Sequence, residues 1–140
     1  MSKSGPIVIV EDDADDREFL GIVFKKLEIK NEIIWCENTD EALEQLSKKA
    51  QNAFIILCDI NLPGKNGLEF KRSIDSDPFL RKKSIPFIFY STSAHQSHVN
   101  EAYSEMTIQG FFKKATSLSE TIDLMKLILG YWTVCKHPNN

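Results

Sequence analysis

The stretch Phe54-Ile-Ile-Leu-Cys-Asp-Ile-Asn-Leu-Pro-Gly-Lys-Asn-Gly67 decides the fold class of this 140-residue chain. Its five leading apolar residues end abruptly at Asp59, and Pro63 and Gly64 then mark a loop. A short apolar run bounded by turn residues is typical of a strand buried on both faces of a parallel sheet. Asp59 therefore stands at the carboxyl end of a buried strand, which is where open parallel sheets place their sites.

Four more apolar runs of this kind alternate with helical patterns along the chain. The predicted strands cover residues 6–10, 32–36, 54–58, 86–90 and 110–112. The predicted helices begin near Asp13, at a Thr39 cap, near Leu68, near Ser97 and at a Ser117…Glu120 capping box. The third of these ends at Asp77-Pro78, because the residue before proline disfavours helix. Five strands that alternate with five helices predict an α/β fold with parallel strands joined by right-handed crossovers.

The composition, 42% hydrophobic and 26% charged, is that of one soluble globular domain. We place it at residues 6–135, between a loose tail at 1–5 and a second tail at 136–140. The net charge of −3 argues against a nucleic-acid footprint. The apolar run Ile7–Val10 is far too short for a signal peptide or a membrane span, so the sequence predicts a cytoplasmic protein without a membrane partner.

The cysteines and histidines suggest no site of their own. Cys36, Cys58 and Cys135 are widely separated and odd in number, which favours reduced and mostly buried thiols over a disulfide framework or a zinc site. The three histidines lack a nucleophile in a triad pattern. We expect them to be exposed residues of a helix and of the carboxyl-terminal tail.

Polar side chains follow the predicted strands where each strand ends. They are Glu11-Asp12-Asp13, Asp59, Ser91-Thr92-Ser93 and Lys113-Lys114. Carboxylates that share one cleft repel each other, and a hard divalent cation such as Mg²⁺ relieves that repulsion. From the residues alone, a magnesium-assisted phosphate site and an ordinary set of polar strand ends both remain open.

Four elements together resemble the receiver domain of two-component response regulators, over about residues 6–130. They are Ile9-Val-Glu-Asp-Asp13, the Asp59–Gly67 stretch, Ser91, and Lys114 after Gly110-Phe-Phe112. The chain from Asp59 to Ser93 is most similar to the single-domain regulators paired with phytochrome-type kinases. The resemblance implies a doubly wound, flavodoxin-like (CheY-like) three-layer sandwich with strand order 2-1-3-4-5.

The resemblance also implies a role for each site residue. Asp59 would accept a phosphoryl group from the phosphohistidine of a histidine kinase or of a phosphotransfer protein. Asp12, Asp59 and the backbone carbonyl of Asn61 would bind Mg²⁺ directly, and Glu11 would bind it through water. Asp13 would cap the first helix instead.

Lys114 would supply a second positive charge to the phosphoryl group, and Ser91 would donate a hydrogen bond to it. Family spacing favours Lys114 over Lys113, since successive strand residues point to opposite faces. Ser91 and Phe111 would form the switch: the serine moves towards the phosphoryl group and the aromatic ring fills the vacated space.

Two positions depart from the family pattern. Ala115 follows Lys114 where the family usually has a proline after a cis bond, so we expect either a trans bond with a repositioned loop or a strained cis bond. Thr92 stands where many receivers have alanine, and it narrows the entrance for a phosphoryl donor.

The sequence leaves two other functions open. One is a pseudo-receiver that binds partners without being phosphorylated. The other is an aspartate-nucleophile phosphatase, although such enzymes usually carry an acid where this chain has Asn61. We expect no enzyme activity beyond slow self-catalysed phosphorylation and dephosphorylation.

We expect a stand-alone regulator, because the fold uses essentially the whole chain. Tyr131, Trp132 and Val134 extend the last helix with apolar side chains. They either pack back onto the domain or form a homodimer contact.

Overall fold

The computed structural model describes residues 2–139, which form a five-stranded parallel sheet flanked by helices. Strand order is β2-β1-β3-β4-β5, so the predicted order is confirmed. The strands are β1 (Ile7–Val10), β2 (Ile33–Cys36), β3 (Ile55–Cys58), β4 (Phe87–Ser91) and β5 (Gly110–Lys113). β1 pairs with both β2 and β3, because the chain crosses over there and continues outward in the opposite direction.

Within residues 2–139 the sheet is accompanied by six α-helices and two 3₁₀ turns, at Ser2–Ser4 and Lys49–Asn52. The helices are α1 (Ala14–Lys26), α2 (Thr39–Leu46), α3 (Gly67–Ser76), α4 (Pro78–Lys83), α5 (Gln96–Glu105) and α6 (Leu118–Val134). The sequence predicted five helices and missed α4. Asp77-Pro78 does end α3, but the Asp77 carboxylate also accepts hydrogen bonds from the N–H groups of Phe79 and Leu80 and so caps a new helix with proline at its first position.

Alternate strand residues build two separate cores, one on each face of the sheet. Val8, Ile56 and Phe87 face a core that α2, α3, α4 and α5 cover. Ile9, Leu57 and Ile88 face a second core that α1 and α6 cover. Both faces are therefore buried, which explains why the strands are continuously apolar instead of alternating with polar residues.

Two predicted helix caps need correction. The cap of α2 is Asn38, whose side-chain oxygen accepts from the N–H of Glu41 at 2.9 Å, while Thr39 is buried as the first helical residue. Ser117 caps α6 by accepting from the N–H of Glu120. The Glu120 carboxylate accepts from the same Ser117 hydroxyl, whereas a capping box would have it accept from the Ser117 N–H.

Both predicted tails contact the domain in the described residues. The Asn31 side chain donates to the carbonyl groups of Lys3 and Gly5. The prediction of an exposed His137 is wrong: the residue is 1% exposed, and its Nε2 lies 2.8 Å from the carbonyl oxygen of Phe54. Met1 and Asn140, the ends of the two tails, lie outside the described residues.

Three smaller features of the described chain bear on the sequence analysis. Cys36 and Cys58 are buried and Cys135 is half-buried, and all three are free thiols. Between residues 2 and 139, no helix is long and apolar enough to cross a membrane. The Lys114–Ala115 bond is trans, as is every other peptide bond of the described chain.

Candidate functional site

Asp59 follows β3 directly and carries a nearly buried side chain at the carboxyl edge of the sheet. Its Oδ1 accepts from the Ser91 hydroxyl at 2.7 Å and from the N–H of Asn61 at 3.1 Å. Its Oδ2 accepts from the Lys114 ammonium at 3.0 Å. A Cβ at Gly67 would lie 2.2 Å from the Asp59 carbonyl oxygen, so the start of α3 approaches this residue as only glycine permits.

Lys114 follows β5 and turns its side chain into the site, where it is 8% exposed. Its ammonium contacts Glu11 and Asp59, and it lies 2.8 Å from Asp16 Oδ2. The N–H of Lys114 donates to the Ser91 carbonyl, which extends the β4–β5 pairing and fixes the backbone beside Ser91. Lys113 is exposed. The loop with its trans bond thus still brings the Lys114 ammonium to Asp59.

Ser91 is the last residue of β4 and is completely buried. Phe111 lies one strand away on β5, half-buried, with its ring centroid 5.5 Å from that of Phe89. Thr92 is exposed beside the site. The structure therefore places the hydroxyl against Asp59 and the aromatic ring on the neighbouring strand, at the edge of the core.

The acidic residues after β1 divide into three positions. Glu11 is 3% exposed and contacts Lys114. Asp12 is exposed, and Asp13 caps α1 by accepting from the N–H groups of Asp15 and Asp16. The predicted helix cap at Asp13 is therefore confirmed.

The pKa values of Glu11 and Lys114 reflect this crowding. Burial, the largest cause, and the charge of Asp59 together raise the pKa of Glu11 to about 7, and the hydrogen bond from Lys114 opposes this rise. Burial lowers the pKa of Lys114, but its hydrogen bonds to Asp16 and Glu11 and the charge of Asp59 more than offset this, so its pKa is raised. Lys114 therefore stays positively charged, whereas Glu11 is partly protonated near pH 7 until another positive charge approaches it.

The donor set fits a hard divalent cation in its chemistry. Glu11, Asp12 and Asp59 offer carboxylate oxygens, which are the ligand atoms that hard divalent cations prefer. In residues 2–139 no group of three or more His, Cys, Asp or Glu side chains is placed to hold a metal ion, so Asp12 is not brought together with Glu11 and Asp59 around a common point. The Lys114 ammonium contacts Glu11 and Asp59 instead. Asn61 lies two residues beyond Asp59, and its N–H group contacts the Asp59 carboxylate.

Sequence reasoning missed three residues that support this site. Asp16 binds Lys114, the Tyr90 ring lies 5.8 Å from the same ammonium, and Arg17 donates to the carbonyl of Glu11 at 2.8 Å. One signal for Asp16 was available: it precedes the buried Leu20 by one helical turn and therefore shares the inward face of α1.

Known proteins resemble this chain in sequence and in fold. Residues 7–126 match the family model of the response regulator receiver domain. Response regulator Rcp1 of Synechocystis sp. is 27% identical over 131 residues, which cover 90% of this chain and 87% of Rcp1.

Two solved structures are similar over almost their whole length. The phosphorylated cyanobacterial phytochrome response regulator RcpA has a TM-score of 0.82 and 26% identity, with 95% of this chain and 97% of RcpA covered. The Mn²⁺-bound form of Rcp1 has a TM-score of 0.80 and 26% identity, with 95% of this chain and 98% of that chain covered. This chain is thus similar to phytochrome-associated regulators in both sequence and fold.

Proposed function

The chain belongs to the response regulator receiver domain family, and from that premise we propose that it accepts a phosphoryl group on Asp59 in a Mg²⁺-dependent reaction. The donor is the phosphohistidine of a histidine kinase or of a phosphotransfer protein. Phosphorylation switches a protein-interaction surface. The phosphorylated state of the similar RcpA supports this proposal.

The observation that carries the proposal is that the two oxygens of the Asp59 carboxylate accept from two different kinds of donor. One oxygen accepts from the neutral Ser91 hydroxyl and the other from the Lys114 cation. Both partners hold the carboxylate, and both remain within reach of oxygens added to it. Phosphoryl transfer requires a positioned nucleophile and positive charge at the transferring oxygens, and this arrangement provides both.

In the proposed step, an Asp59 oxygen attacks the phosphorus in line with the phosphorus–nitrogen bond of the donor histidine. The new oxygen–phosphorus bond forms an acyl phosphate, and the electron pair of the broken bond returns to the imidazole nitrogen, which then takes up a proton. Lys114 neutralises charge on the phosphoryl oxygens. Ser91 turns its hydroxyl from Asp59 to one of those oxygens.

The residues that would hold Mg²⁺ are Asp12, Asp59 and the Asn61 backbone carbonyl, with Glu11 acting through water. A bound ion would supply positive charge that offsets the charge of the Asp59 carboxylate and of the transferring phosphoryl group. The Mn²⁺-bound form of Rcp1 supports divalent-metal binding at such a site.

Phe111 and Ser91 form the proposed switch. When the serine turns to the phosphoryl group, the space beside it accepts the Phe111 ring, which is half-buried and already contacts Phe89. This movement changes the surface along β5 and the neighbouring helices. We propose that this surface is read by a partner protein in the cytoplasm.

The test treats the protein with a small phosphoryl donor or a phosphorylated kinase, plus Mg²⁺, and measures intact mass. We expect a single added phosphate on wild type and none on Asp59→Asn. Asp40→Asn, an exposed carboxylate on α2, serves as the matched control and keeps the phosphate. A phosphate retained by Asp59→Asn, or absent from wild type with both kinds of donor, overturns the proposal.

The same experiment separates the alternatives. A pseudo-receiver takes no phosphate. A phosphatase turns over phosphate monoesters many times, whereas we expect at most slow self-catalysed loss of the phosphate from Asp59, since Asn61 cannot donate a proton to a leaving group. Repeated turnover of a monoester would contradict the proposal.

We further propose that a second copy of the chain is a partner, bound through the α6 side of β5. Leu127 and Tyr131 are 65% and 61% exposed, and Val134 is 84% exposed. A groove of about 350 Å³ runs between α6 and Phe112 of β5. A contiguous apolar surface of this kind is typical of a protein contact.

A further inference from the structure

Three carboxylates contact the Lys114 ammonium, and they differ in their other proposed roles. Glu11 and Asp59 belong to the proposed metal and phosphoryl site. Asp16 does not: it lies on α1, and its Oδ2 is 2.8 Å from the ammonium. Asp16 is therefore the carboxylate that remains available to the lysine when the other two turn to a cation.

The position of Asp16 is fixed by the start of α1. The Asp13 side chain accepts from the N–H groups of both Asp15 and Asp16, which sets the first turn of the helix. Leu20, one turn later on the same face, is 2% exposed and anchors that face in the core. The Asp16 carboxylate thus reaches the ammonium from a rigid element.

The Lys114 side chain, by contrast, has free space beside it. Ala115 offers no ring and a small side chain, and a cavity of about 30 Å³ lies beside the lysine, between Tyr90 and α1. Space for about one water molecule leaves a long side chain room to move. Asp16 lines this cavity together with Lys114, whereas Asp59 does not.

We infer that Asp16 is a positioning residue for Lys114, holding its ammonium beside Asp59 while Glu11 and Asp59 bind the divalent cation. This inference rests on the proposed function. The Asp16 side chain is 42% exposed, so water screens its repulsion of a phosphoryl group. Its direct hydrogen bond to the lysine persists.

Two measurable consequences follow from this role. Without the Asp16 charge, the ammonium has only Glu11 and Asp59 as carboxylate partners and competes with Mg²⁺ for both. At saturating Mg²⁺ the ammonium then lacks an anchor, and phosphoryl transfer slows because a displaced catalytic group loses much of its effect.

The experiment compares Asp16→Asn with Asp16→Glu and with Asp15→Asn. Asp15→Asn removes the same charge from the same helical turn, at an exposed position. Calorimetric titration with Mg²⁺ alone measures metal affinity, and intact mass measures the rate of labelling by a small phosphoryl donor at saturating Mg²⁺. Relative to Asp15→Asn, we expect Asp16→Asn to bind Mg²⁺ about threefold more weakly and to be labelled about tenfold more slowly. Asp16→Glu restores most of both.

Equal metal affinity and equal labelling rates for Asp16→Asn and Asp15→Asn would overturn the inference. Failure of Asp16→Glu to recover either quantity would also overturn it, because a positioning role requires only a carboxylate within reach. The metal titration needs no phosphorylation. A wild type that neither the small donor nor a phosphorylated kinase labels therefore refutes the proposed function, whereas the calorimetric comparison decides the role of Asp16.

Discussion

The Glu11 carboxylate is buried and feels the charge of a second buried carboxylate, that of Asp59. The pKa of Glu11 rises to about 7, mainly because the group is buried and also because of the Asp59 charge. In the unfolded chain its pKa returns to 4.5. Between these two values the folded protein binds more protons than the unfolded chain. The free energy of unfolding therefore falls as pH rises through this window, and the penalty is complete above about pH 7.

This predicts a pH effect on stability that belongs to one residue. Without divalent metal, wild type should lose about 2 kcal/mol more free energy of unfolding than Glu11→Gln between pH 5 and pH 8. Urea unfolding of both proteins at the two pH values measures this difference. Glu18→Gln, at an exposed position of α1, should follow wild type. A Glu11→Gln variant with the pH dependence of wild type would show that Glu11 is ionised throughout.

At this scale, part of the site could be predicted because parallel strands end at a common edge. That rule is sufficient to bring Asp59, Ser91 and Lys114 together from three strands. The contact between Asp16 and Lys114 depends on the rotation of α1 about its axis. That rotation is set by the Asp13 cap and the packing of Leu20, which the linear spacing of charges does not specify.

At the scale of elements, α3 is tied to the segment before β5 by Lys71. This lysine is 4% exposed; its ammonium lies 2.9 Å from Asp75 and 3.1 Å from the Thr107 hydroxyl, and 5.0 Å above the Phe87 ring. Asp75 also accepts from the N–H of Thr107. The contact joins the helix that begins beside Asp59 to the strand that carries Phe111 and ends next to Lys114.

Lys71→Met keeps the apolar stem but leaves Asp75 without its cation. We expect this variant to lose about 2–3 kcal/mol of unfolding free energy, because removing one partner of a buried ion pair strands the other charge. Arg72→Met, which breaks exposed pairs with Glu101 and Glu105, should lose less than about 1 kcal/mol. Chemical denaturation compares the two, and equal losses would mean that the Lys71 pair is effectively solvated.

Elements with strong apolar runs were predictable, whereas short capped ones were not. The bounds of each strand were predicted to within about two residues. Short, continuously apolar runs such as Ile7–Val10 are typical of strands that are buried on both faces. Helix α4 has only six residues and one buried side chain, Leu80, so it has no apolar periodicity to detect. It exists because Asp77 is both the C-terminal cap of one helix and the N-terminal cap of the next.

At the scale of the whole molecule, the carboxyl-terminal segment closes the sheet at its amino edge. His137 Nε2 contacts the Phe54 carbonyl, Nδ1 accepts from the N–H of Asn139 at 3.1 Å, and the ring lies near those of Phe54 and Trp132. Since Nδ1 accepts a hydrogen bond, the proton of the neutral ring sits on Nε2 and is donated to Phe54. The Asn139 side chain then donates to the Lys83 carbonyl and reaches α4.

His137→Ala should therefore destabilise the domain although the residue lies beyond the last helix. We expect the free energy of unfolding to fall by about 2–4 kcal/mol, because the variant loses one buried hydrogen bond and a large buried ring. His95→Ala, at an exposed position before α5, should change stability by less than about 0.5 kcal/mol. Thermal and urea unfolding measure both variants. A His137→Ala protein as stable as His95→Ala would show that the segment does not hold the fold.

The exposed side of α6 belongs to the same scale, because the occupant that we propose for it is a second whole molecule. Trp132 is half-buried and packs on the core, whereas Tyr131 projects into solvent next to the groove along β5. The last turn of α6 therefore packs onto the domain with one side and presents apolar side chains to solvent on the other. We expect wild type to dimerise and Tyr131→Asp to weaken the dimer about thirtyfold, since a central tyrosine commonly contributes about 2 kcal/mol or more to a contact. Phe79→Asp replaces another exposed aromatic side chain, on α4 and outside this groove, and should dimerise as wild type does. Light scattering over a concentration series, with and without a phosphoryl analogue, measures the fraction of dimer for the three proteins. A monomeric wild type under both conditions, or equal weakening by both substitutions, would show that α6 is not the dimer contact.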